Sequence, residues 1–151
     1  MGCETSVGCS DCGFELGEYL GGLTVSDVFF VSDHRFPGRC VVTLRRHATE
    51  LFELDSATRH AFADDMSTAA HAIASALRVT KMNYEILGNA DPHLHCHLIP
   101  RRADEPNPKA PAWLHPEAQE DLPEEFADVL RARIGGLLPA RIPPPDDAEA
   151  G

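Results

Sequence analysis

Short runs of apolar residues over the first two-thirds of the chain predict β-strands. Residues 25–32 combine β-branched and aromatic side chains, which is typical of a strand. A Pro-Gly turn signal follows, and residues 40–45 then predict the returning strand of a hairpin. Residues 83–87 and residues 93–99 are also strand-like, and Pro100 predicts the end of the later strand. The pattern therefore predicts two pairs of strands.

A helical period separates these two pairs. Five apolar residues recur at spacings of four, four, three and four, so they share one face of a helix of about six turns. These residues are Phe62, Met66, Ala70, Ile73 and Leu77. Asp55 or Ser56 can cap the first turn, and residues 124–138 predict a second, shorter helix. This order of elements predicts an α+β domain, in which an antiparallel sheet of about five strands is backed by one long helix.

Composition divides the chain into four segments. We expect a cysteine-containing N-terminal arm over residues 1–13 and one folded domain over residues 14–102. A C-terminal extension with a short helix follows over residues 103–138, and its Trp113 could pack over a partner subunit, a nucleotide or the tail. Residues 139–151 hold four prolines and three acidic residues, so we expect a disordered tail there.

Charge and composition argue against several classes of function. The formal net charge of -11 disfavours long nucleic acid as a partner, because nucleic acid is itself a polyanion. No apolar run approaches the ~20 residues that span a bilayer, so we expect no membrane partner. The first residues do not resemble a secretory signal, and five cysteines do not suggest a disulfide framework. These observations predict a cytoplasmic protein.

Three histidines alternate along the last predicted strand. Because alternate side chains of a strand face the same way, His93, His95 and His97 are expected to share one face, with the apolar residues between them facing the core. Imidazoles fill a core poorly, since each brings a polar nitrogen that needs a partner. Two functional roles stay open at this point. The three side chains could share a metal ion, or one neutral imidazole could attack phosphorus while its neighbours bind phosphate oxygens.

The histidine strand resembles the signature of a known family. Residues 93–99, His-Leu-His-Cys-His-Leu-Ile, match the pattern of alternating histidine and apolar residues in the histidine-triad nucleotide hydrolases and transferases. Residues 83–101, 36–42 and 46–51 are similar to segments of bacterial members that resemble dinucleoside polyphosphate hydrolases. The resemblance covers about residues 9–102 and does not include the C-terminal extension.

This resemblance implies a homodimer that binds a nucleoside phosphate and attacks its α-phosphorus, giving a covalent nucleotidyl-histidine. His95 would be the nucleophile, and His97 would contact the phosphate and assist the leaving group or water. His93 would support the site without touching the substrate, either by contacting the other site residues or by binding a metal. The remaining substrate-binding positions lie near the ribose or the phosphate. They are Ser32 or Asp33 at the ribose hydroxyls, and Arg39, Asn83 and Asn89 near the phosphate.

A cysteine pair adds a possible metal site. Cys9 and Cys12 have the spacing of half a zinc site, although free thiols in a mobile arm would give the same pattern. In some histidine-triad proteins such a pair binds a structural zinc together with two histidines. The matching histidines here are His47 and His93. The resemblance thus implies one structural zinc and no organic cofactor.

Two departures from the family pattern keep other functions open. Arg39 stands where many members have a further histidine, and Ala90 stands where many have serine or threonine. A nucleotide-binding regulatory module with little catalysis is therefore an alternative to a hydrolase. A metalloprotein whose three histidines share one ion is another.

Overall fold

Five strands form one antiparallel sheet in the computed structural model, which describes residues 8–140. They are β1 (Glu18–Gly22), β2 (Ser26–Phe30), β3 (Cys40–Leu44), β4 (Lys81–Glu85) and β5 (His95–Arg101). Their order across the sheet is β1-β2-β3-β5-β4, so β5 lies between β3 and β4. Two α-helices are present in the described range, α1 (Ser56–Ala76) and α2 (Glu124–Leu137). The predicted α+β class is confirmed.

The strand β1 is the element that the apolar pattern did not locate. It contains Gly21 and Gly22, and its pairing with β2 shifts between Tyr19 and Gly21. A shift of this kind breaks the two-residue alternation that identifies a regular strand. Pairing with β2, rather than local propensity, is what holds this segment extended.

The strand β5 continues beyond the point where the sequence predicted its end. Its pairing with β3 stops at Leu98, whereas its pairing with β4 continues through Pro100 to Arg101. Pro100 therefore lies beyond the last residue pair with β3, where a missing N–H group removes no ladder bond on that side. The expectation that Pro100 ends the strand was wrong for this reason.

The helix α1 covers one face of the sheet. Asp55 caps it by accepting a hydrogen bond from the N–H group of Thr58. The five apolar positions predicted for one face all belong to the main core or pack against it. They are Phe62, Met66, Ala70, Ile73 and Leu77. The helix α2 packs against α1 and β1, and within residues 8–140 no helix is long and apolar enough to cross a membrane.

Alternation along β5 gives the sheet two chemically different faces. Cys96 and Leu98 point into the core beneath α1. His95 and His97 therefore lie on the opposite face, as expected from the two-residue period of a strand. His93 precedes the strand and is also buried.

The C-terminal extension returns across this second face before α2 begins. Ala112 packs with Phe36 and Ile99 there, in a small cluster separate from the main core. The backbone N–H of Leu122 donates to Ser32 Oγ at 2.9 Å. The extension is thus tied to the sheet beside the histidines. The predicted disordered tail, residues 139–151, lies outside the described residues except for its first two positions.

A buried carboxylate ties α1 to the turn between β1 and β2. Asp65 is 3% exposed and accepts hydrogen bonds from Thr24 N, Val25 N and Ser26 Oγ at 3.1, 2.9 and 2.6 Å. Hydrogen bonds to an ionised acceptor are stronger than neutral ones, and an unpaired buried donor is costly. This contact therefore fixes where the first hairpin meets the helix.

We expect Asp65→Ala to lower the free energy of unfolding by about 3 kcal/mol, because it leaves three donors without their acceptor. Urea denaturation followed by circular dichroism measures the change. The matched control is Asp64→Ala, at the neighbouring exposed position of the same helix, which should stay within about 0.5 kcal/mol. Equal effects at the two positions would contradict the role of Asp65.

Candidate active site and metal site

Four potential metal ligands from separate parts of the chain converge at the start of β5. They are Cys9, Cys12, His47 and His93, and their ligand atoms all lie within 4.8 Å of one another. The first two come from the N-terminal arm, the third follows β3, and the fourth precedes β5. The predicted metal-ligating residues are thus brought together.

A tight turn aims the two cysteines at the sheet. The N–H of Gly13 donates to Cys9 O at 2.7 Å, and the N–H of Cys9 donates to Phe14 O at 3.0 Å. Gly13 has a φ of +75°, a conformation that favours glycine. The sequence Cys-Ser-Asp-Cys-Gly therefore builds a loop that can present both thiols to one point.

The distances between these ligand atoms match a tetrahedral site. Cys9 Sγ lies 3.8 Å from His47 Nδ1, Cys12 Sγ lies 3.4 Å from His93 Nδ1, and the two Nδ1 atoms lie 3.4 Å apart. A tetrahedral zinc with sulfur and nitrogen ligands has edges of roughly 3.3–3.8 Å. The donor set and its spacing therefore fit a zinc ion.

His93 is held in the protonation form that a ligand needs. Its Nε2–H donates to the carbonyl oxygen of Leu44 at 2.6 Å, which leaves the lone pair on Nδ1, facing Cys12 and His47. A metal-binding histidine commonly donates its other N–H to a carbonyl in this way. Because Nδ1 points to the cysteines, this arrangement favours a four-ligand site over an ion shared by the three histidines.

His95 presents a free lone pair on the opposite side of its ring. It is 4% exposed, and its Nδ1–H donates to the carbonyl oxygen of His93. The neutral ring then carries its lone pair on Nε2, and no residue in the described part of the chain hydrogen-bonds to that atom. A neutral imidazole with an unengaged nitrogen is the form that can act as a nucleophile.

His97 has the opposite tautomer. Arg39 Nη2 donates to His97 Nδ1 at 3.0 Å, so in the neutral ring the proton sits on Nε2. Burial lowers the pKa of His97 to about 4, and the Arg39 cation and His95 act in the same direction. His97 is therefore a neutral N–H donor at pH 7, beside the lone pair of His95, with the two ring centroids 4.9 Å apart.

Arg39 is held in place by a buried carboxylate. Asp33 is fully buried, and it accepts from Arg39 Nη1 at 2.9 Å and from Arg35 Nη2 at 2.9 Å. Burial by itself would raise the pKa of Asp33, but the hydrogen bonds from Arg35 and Arg39 outweigh it and hold the pKa below its ordinary value. Two arginines around one carboxylate leave a net positive charge next to His97.

The other predicted substrate-binding residues lie at different distances from the histidines. Ser32 Oγ accepts from Leu122 N and so anchors the extension. Asn83 lies on β4, where its Oδ1 accepts from Arg101 Nη1 at 2.7 Å. Asn89 is exposed in the loop before β5. Of the predicted substrate-binding residues, only Arg39 contacts a histidine of the triad in the described range.

Phe14 is a site residue that the sequence reasoning missed. Its ring stacks on His95 with centroids 4.5 Å apart and on His93 with centroids 5.3 Å apart. It also lines a cavity of about 270 Å³, together with Phe29 of β2 and Thr43 of β3. Its position two residues after the cysteine pair was the available signal, because a metal-bound arm would bring that residue to the triad.

Several solved structures are similar to this chain. A histidine triad protein from Sinorhizobium meliloti 1021 is 29% identical, with a TM-score of 0.73 and coverage of 81% of this chain and 90% of that one. One from Marinobacter aquaeolei VT8 is 25% identical, with a TM-score of 0.72 and coverage of 80% and 88%. A zinc-bound family protein from Mycobacterium smegmatis, 19% identical with a TM-score of 0.62 and coverage of 87% and 96%, shares the fold. None of the curated proteins compared with the chain matches it significantly.

The HIT domain profile matches residues 26–104, more than half of the chain. The matched segment runs from β2 through β5 and includes Arg39, His47 and the three alternating histidines. With this match and the shared architecture, the chain belongs to the histidine triad (HIT) domain family.

Proposed function

We propose that this protein cleaves a phosphorus bond at the α-phosphate of a nucleotide, through a covalent nucleotide on His95. HIT family membership supports the broad class of nucleotide-binding hydrolases and transferases. The single observation that carries the narrower proposal is the opposite hydrogen bonding of two neighbouring rings. His95 Nδ1 contacts a carbonyl acceptor, which leaves the lone pair of the neutral ring on Nε2, whereas His97 Nδ1 contacts the Arg39 donor, which places the proton of the neutral ring on Nε2. One ring can attack phosphorus while the next donates to its oxygens.

The reaction then runs in two displacements. His95 Nε2 forms a bond to the α-phosphorus as the bond to the leaving group breaks, and the leaving group departs with that electron pair. His97 Nε2–H and Arg39 stabilise the charge that develops on the phosphate oxygens. A water molecule next attacks the same phosphorus and loses a proton to solvent. The P–N bond breaks, its electron pair returns to His95 Nε2, and a nucleoside monophosphate leaves. A hydroxyl acceptor in place of water would make the protein a transferase.

The cavity on the hairpin side of the triad is suited to the nucleoside that stays attached. Phe14 and Phe29 supply aromatic walls, and Thr43 Oγ1 is a buried hydroxyl without a partner among the described residues. Unpartnered buried polar groups are uncommon, and a ligand acceptor or donor would satisfy this one. The proposed substrates are dinucleoside polyphosphates and nucleoside phosphoramidates. Ser32, Asp33, Asn83 and Asn89 remain proposed substrate-binding positions, with Asp33 acting through Arg39.

The proposal includes a structural zinc at Cys9, Cys12, His47 and His93. The ligand distances support it, as does the zinc-bound relative from Mycobacterium smegmatis. A bound zinc would hold the arm against the sheet and fix the backbone of His93, whose carbonyl orients His95. Cysteines kept as free thiols suit the reducing cytoplasm, which is the proposed location. We further expect a homodimer, since β4 has a hydrogen-bonded neighbour on one side only within the described sheet.

A nucleotide-binding module with little catalysis is the second candidate, and one observation favours it. The Phe14 ring covers His95, which is 4% exposed. Turnover requires this ring to leave room for a phosphoryl group, whereas a binding module does not. Tight nucleotide binding without a covalent intermediate would support this second function.

We expect His95→Asn to reduce turnover by at least ~10³-fold, because the amide side chain cannot form the covalent intermediate. Mass spectrometry of the quenched native enzyme should show one added nucleotide, which the variant lacks. His71→Asn, at an exposed position of α1, is the matched control and should keep both turnover and adduct. Normal turnover of dinucleoside polyphosphates and phosphoramidates by the His95 variant would refute the proposed chemistry.

We expect about one zinc per chain in protein purified without chelators, measured by elemental analysis. Cys9→Ser should remove the metal and lower Tm, because the serine hydroxyl is a poor zinc ligand and the arm loses its anchor. His95→Asn is the control and should retain the metal, since His95 is not one of the four converging ligands and its Nδ1 bonds to the carbonyl oxygen of His93. Loss of the metal with His95 instead would support an ion shared by the three histidines.

We expect Arg39→Gln to raise the pKa of His97, because the guanidinium disfavours a second positive charge beside it. The increase should be partial, since burial is the larger cause and stays in place. The histidine ring signals in a pH-dependent NMR titration measure the change. Arg45→Gln, in an ion pair with Asp27, is the control and should leave the titration of His97 unaltered.

A further inference from the structure

The C-terminal extension lies beyond the segment that the HIT profile matches, and it is tied at two points to the loop after β2. The N–H of Leu122 donates to Ser32 Oγ at 2.9 Å, and the N–H of His34 donates to Glu120 O at 2.9 Å. Leu122 is itself part of the main core, so the extension is firmly held at this point. The two ties flank Asp33 in the sequence. The extension therefore fixes the backbone on both sides of the carboxylate that binds Arg39.

Arg35 connects the extension to the Asp33 side chain. Gln119 Oε1 accepts a hydrogen bond from Arg35 Nη2 at 3.3 Å. The same guanidinium donates to Asp33 through two nitrogens, from Nε to Oδ1 at 3.0 Å and from Nη2 to Oδ2 at 2.9 Å. Two parallel bonds of this kind fix the orientation of a carboxylate as well as its position. We call residues 119–122 the clamp, because they hold both the backbone and the main partner of Asp33.

The acceptor positions of the Asp33 carboxylate are all used. A carboxylate offers about four such positions. Arg35 fills three of them, through its backbone N–H, Nε and Nη2, and Arg39 Nη1 fills the fourth at 2.9 Å. Because Asp33 is fully buried, losing a donor would leave one of its oxygens in need of another partner. The carboxylate therefore keeps one orientation, which in turn fixes where Arg39 binds.

Two hydrogen bonds orient the Arg39 guanidinium. Nη1 donates to Asp33, and Nη2 donates to His97 Nδ1 at 3.0 Å. Arg39 Nε is buried and has no partner among residues 8–140, so it adds nothing to this orientation. Because a guanidinium is planar and rigid, a shift of Asp33 would also move Nη2 relative to His97. The side chains of Gln119, Arg35, Asp33, Arg39 and His97 thus form one hydrogen-bonded series from the clamp to the triad.

We propose that the C-terminal extension is a positioning element of the active site, and that its clamp acts through Ser32 and Arg35 to orient Arg39 toward the phosphate oxygens. This rests on the proposed cleavage, in which Arg39 and His97 stabilise the charge on those oxygens. When a tie to the clamp is lost, the Asp33 carboxylate turns to accept both terminal nitrogens of Arg39. His97 then loses the donor that places the proton of its neutral ring on Nε2.

The test uses two variants that alter these contacts without changing the net charge, Arg35→Lys and Ser32→Ala. The nitrogen chemical shifts of the His97 ring, measured by NMR on the full-length protein without ligand, show which nitrogen carries the proton. We expect both variants to populate the form of His97 with its proton on Nδ1. We also expect the pKa of His97 to rise toward its ordinary value, because the Arg39 cation moves away from the ring.

Turnover of a dinucleoside polyphosphate gives a second measurement on the same proteins. We expect Arg35→Lys to lower kcat about tenfold and to change KM much less, because a displaced donor weakens stabilisation of the transition state. Ser32→Ala should act in the same direction with a smaller effect. The matched controls are Arg78→Lys and Ser75→Ala, at exposed positions at the end of α1, and they should leave kcat and the His97 signals at their native values.

The two measurements separate this proposal from the proposed function. If the native protein turns over its substrate and neither variant changes the His97 signals, the clamp has no positioning role and the cleavage chemistry stands. If the native protein has no turnover, the proposed function fails, and the His97 signals alone decide the role of the clamp. A lower Tm with the His97 proton still on Nε2 would make the extension a purely structural support and overturn the proposal. Equal changes in the control variants would also overturn it.

Discussion

The hydrogen bond from His95 Nδ1 to the carbonyl oxygen of His93 is the contact on which the rest of the site depends. It fixes which nitrogen of a neutral ring carries the lone pair. The backbone bonds of the next residue, Leu94, to Leu44 and Ala48 hold the segment that carries this acceptor. The side chain of His93 reaches the cysteines of the arm, while its main chain serves His95. One residue thus links the proposed metal site to the proposed nucleophile. A displacement of the arm would change the orientation of the His95 ring through this carbonyl.

Arg39 supplies the charge that such a nucleophile requires in an acidic protein. A histidine at position 39 could exchange protons. The guanidinium of Arg39 stays ionised across the working pH range and can only donate hydrogen bonds. Its contact with Asp33 cancels part of that charge, but the second arginine, Arg35, restores a net positive balance. Burial lowers the pKa of His97 and keeps that ring neutral, and the contact with Arg39 acts in the same direction. In the proposed reaction, the site would therefore stabilise an anion by fixed hydrogen-bond donors instead of by a titrating group.

The sequence predicted the sheet, the long helix and the alternating histidines because each has a local pattern. The apolar period of α1 and the β-branched run of β2 can each be identified from a window of about ten to twenty residues. The strand β1 could not be predicted from local sequence, since Gly21 and Gly22 become part of a strand only by pairing with β2. Phe14 shows the same limit within the site. It stacks on His95, which lies far from it in the chain, and no local pattern records such a contact.

The strand order explains why the two triad histidines of β5 have rigid neighbours. Because β5 lies between β3 and β4, His95 and His97 have a paired strand on each side of the sheet. On the β3 side, the rings of Phe14 and Phe29 border a cavity whose other walls include the polar side chains of Asp27 and Thr43. Aromatic walls with a few fixed polar groups are typical of small-molecule sites, since the rings supply contact area and the polar groups fix orientation. A central strand therefore suits a site that depends on the direction of one lone pair, because neither neighbouring strand can shift without breaking its pairing with β5.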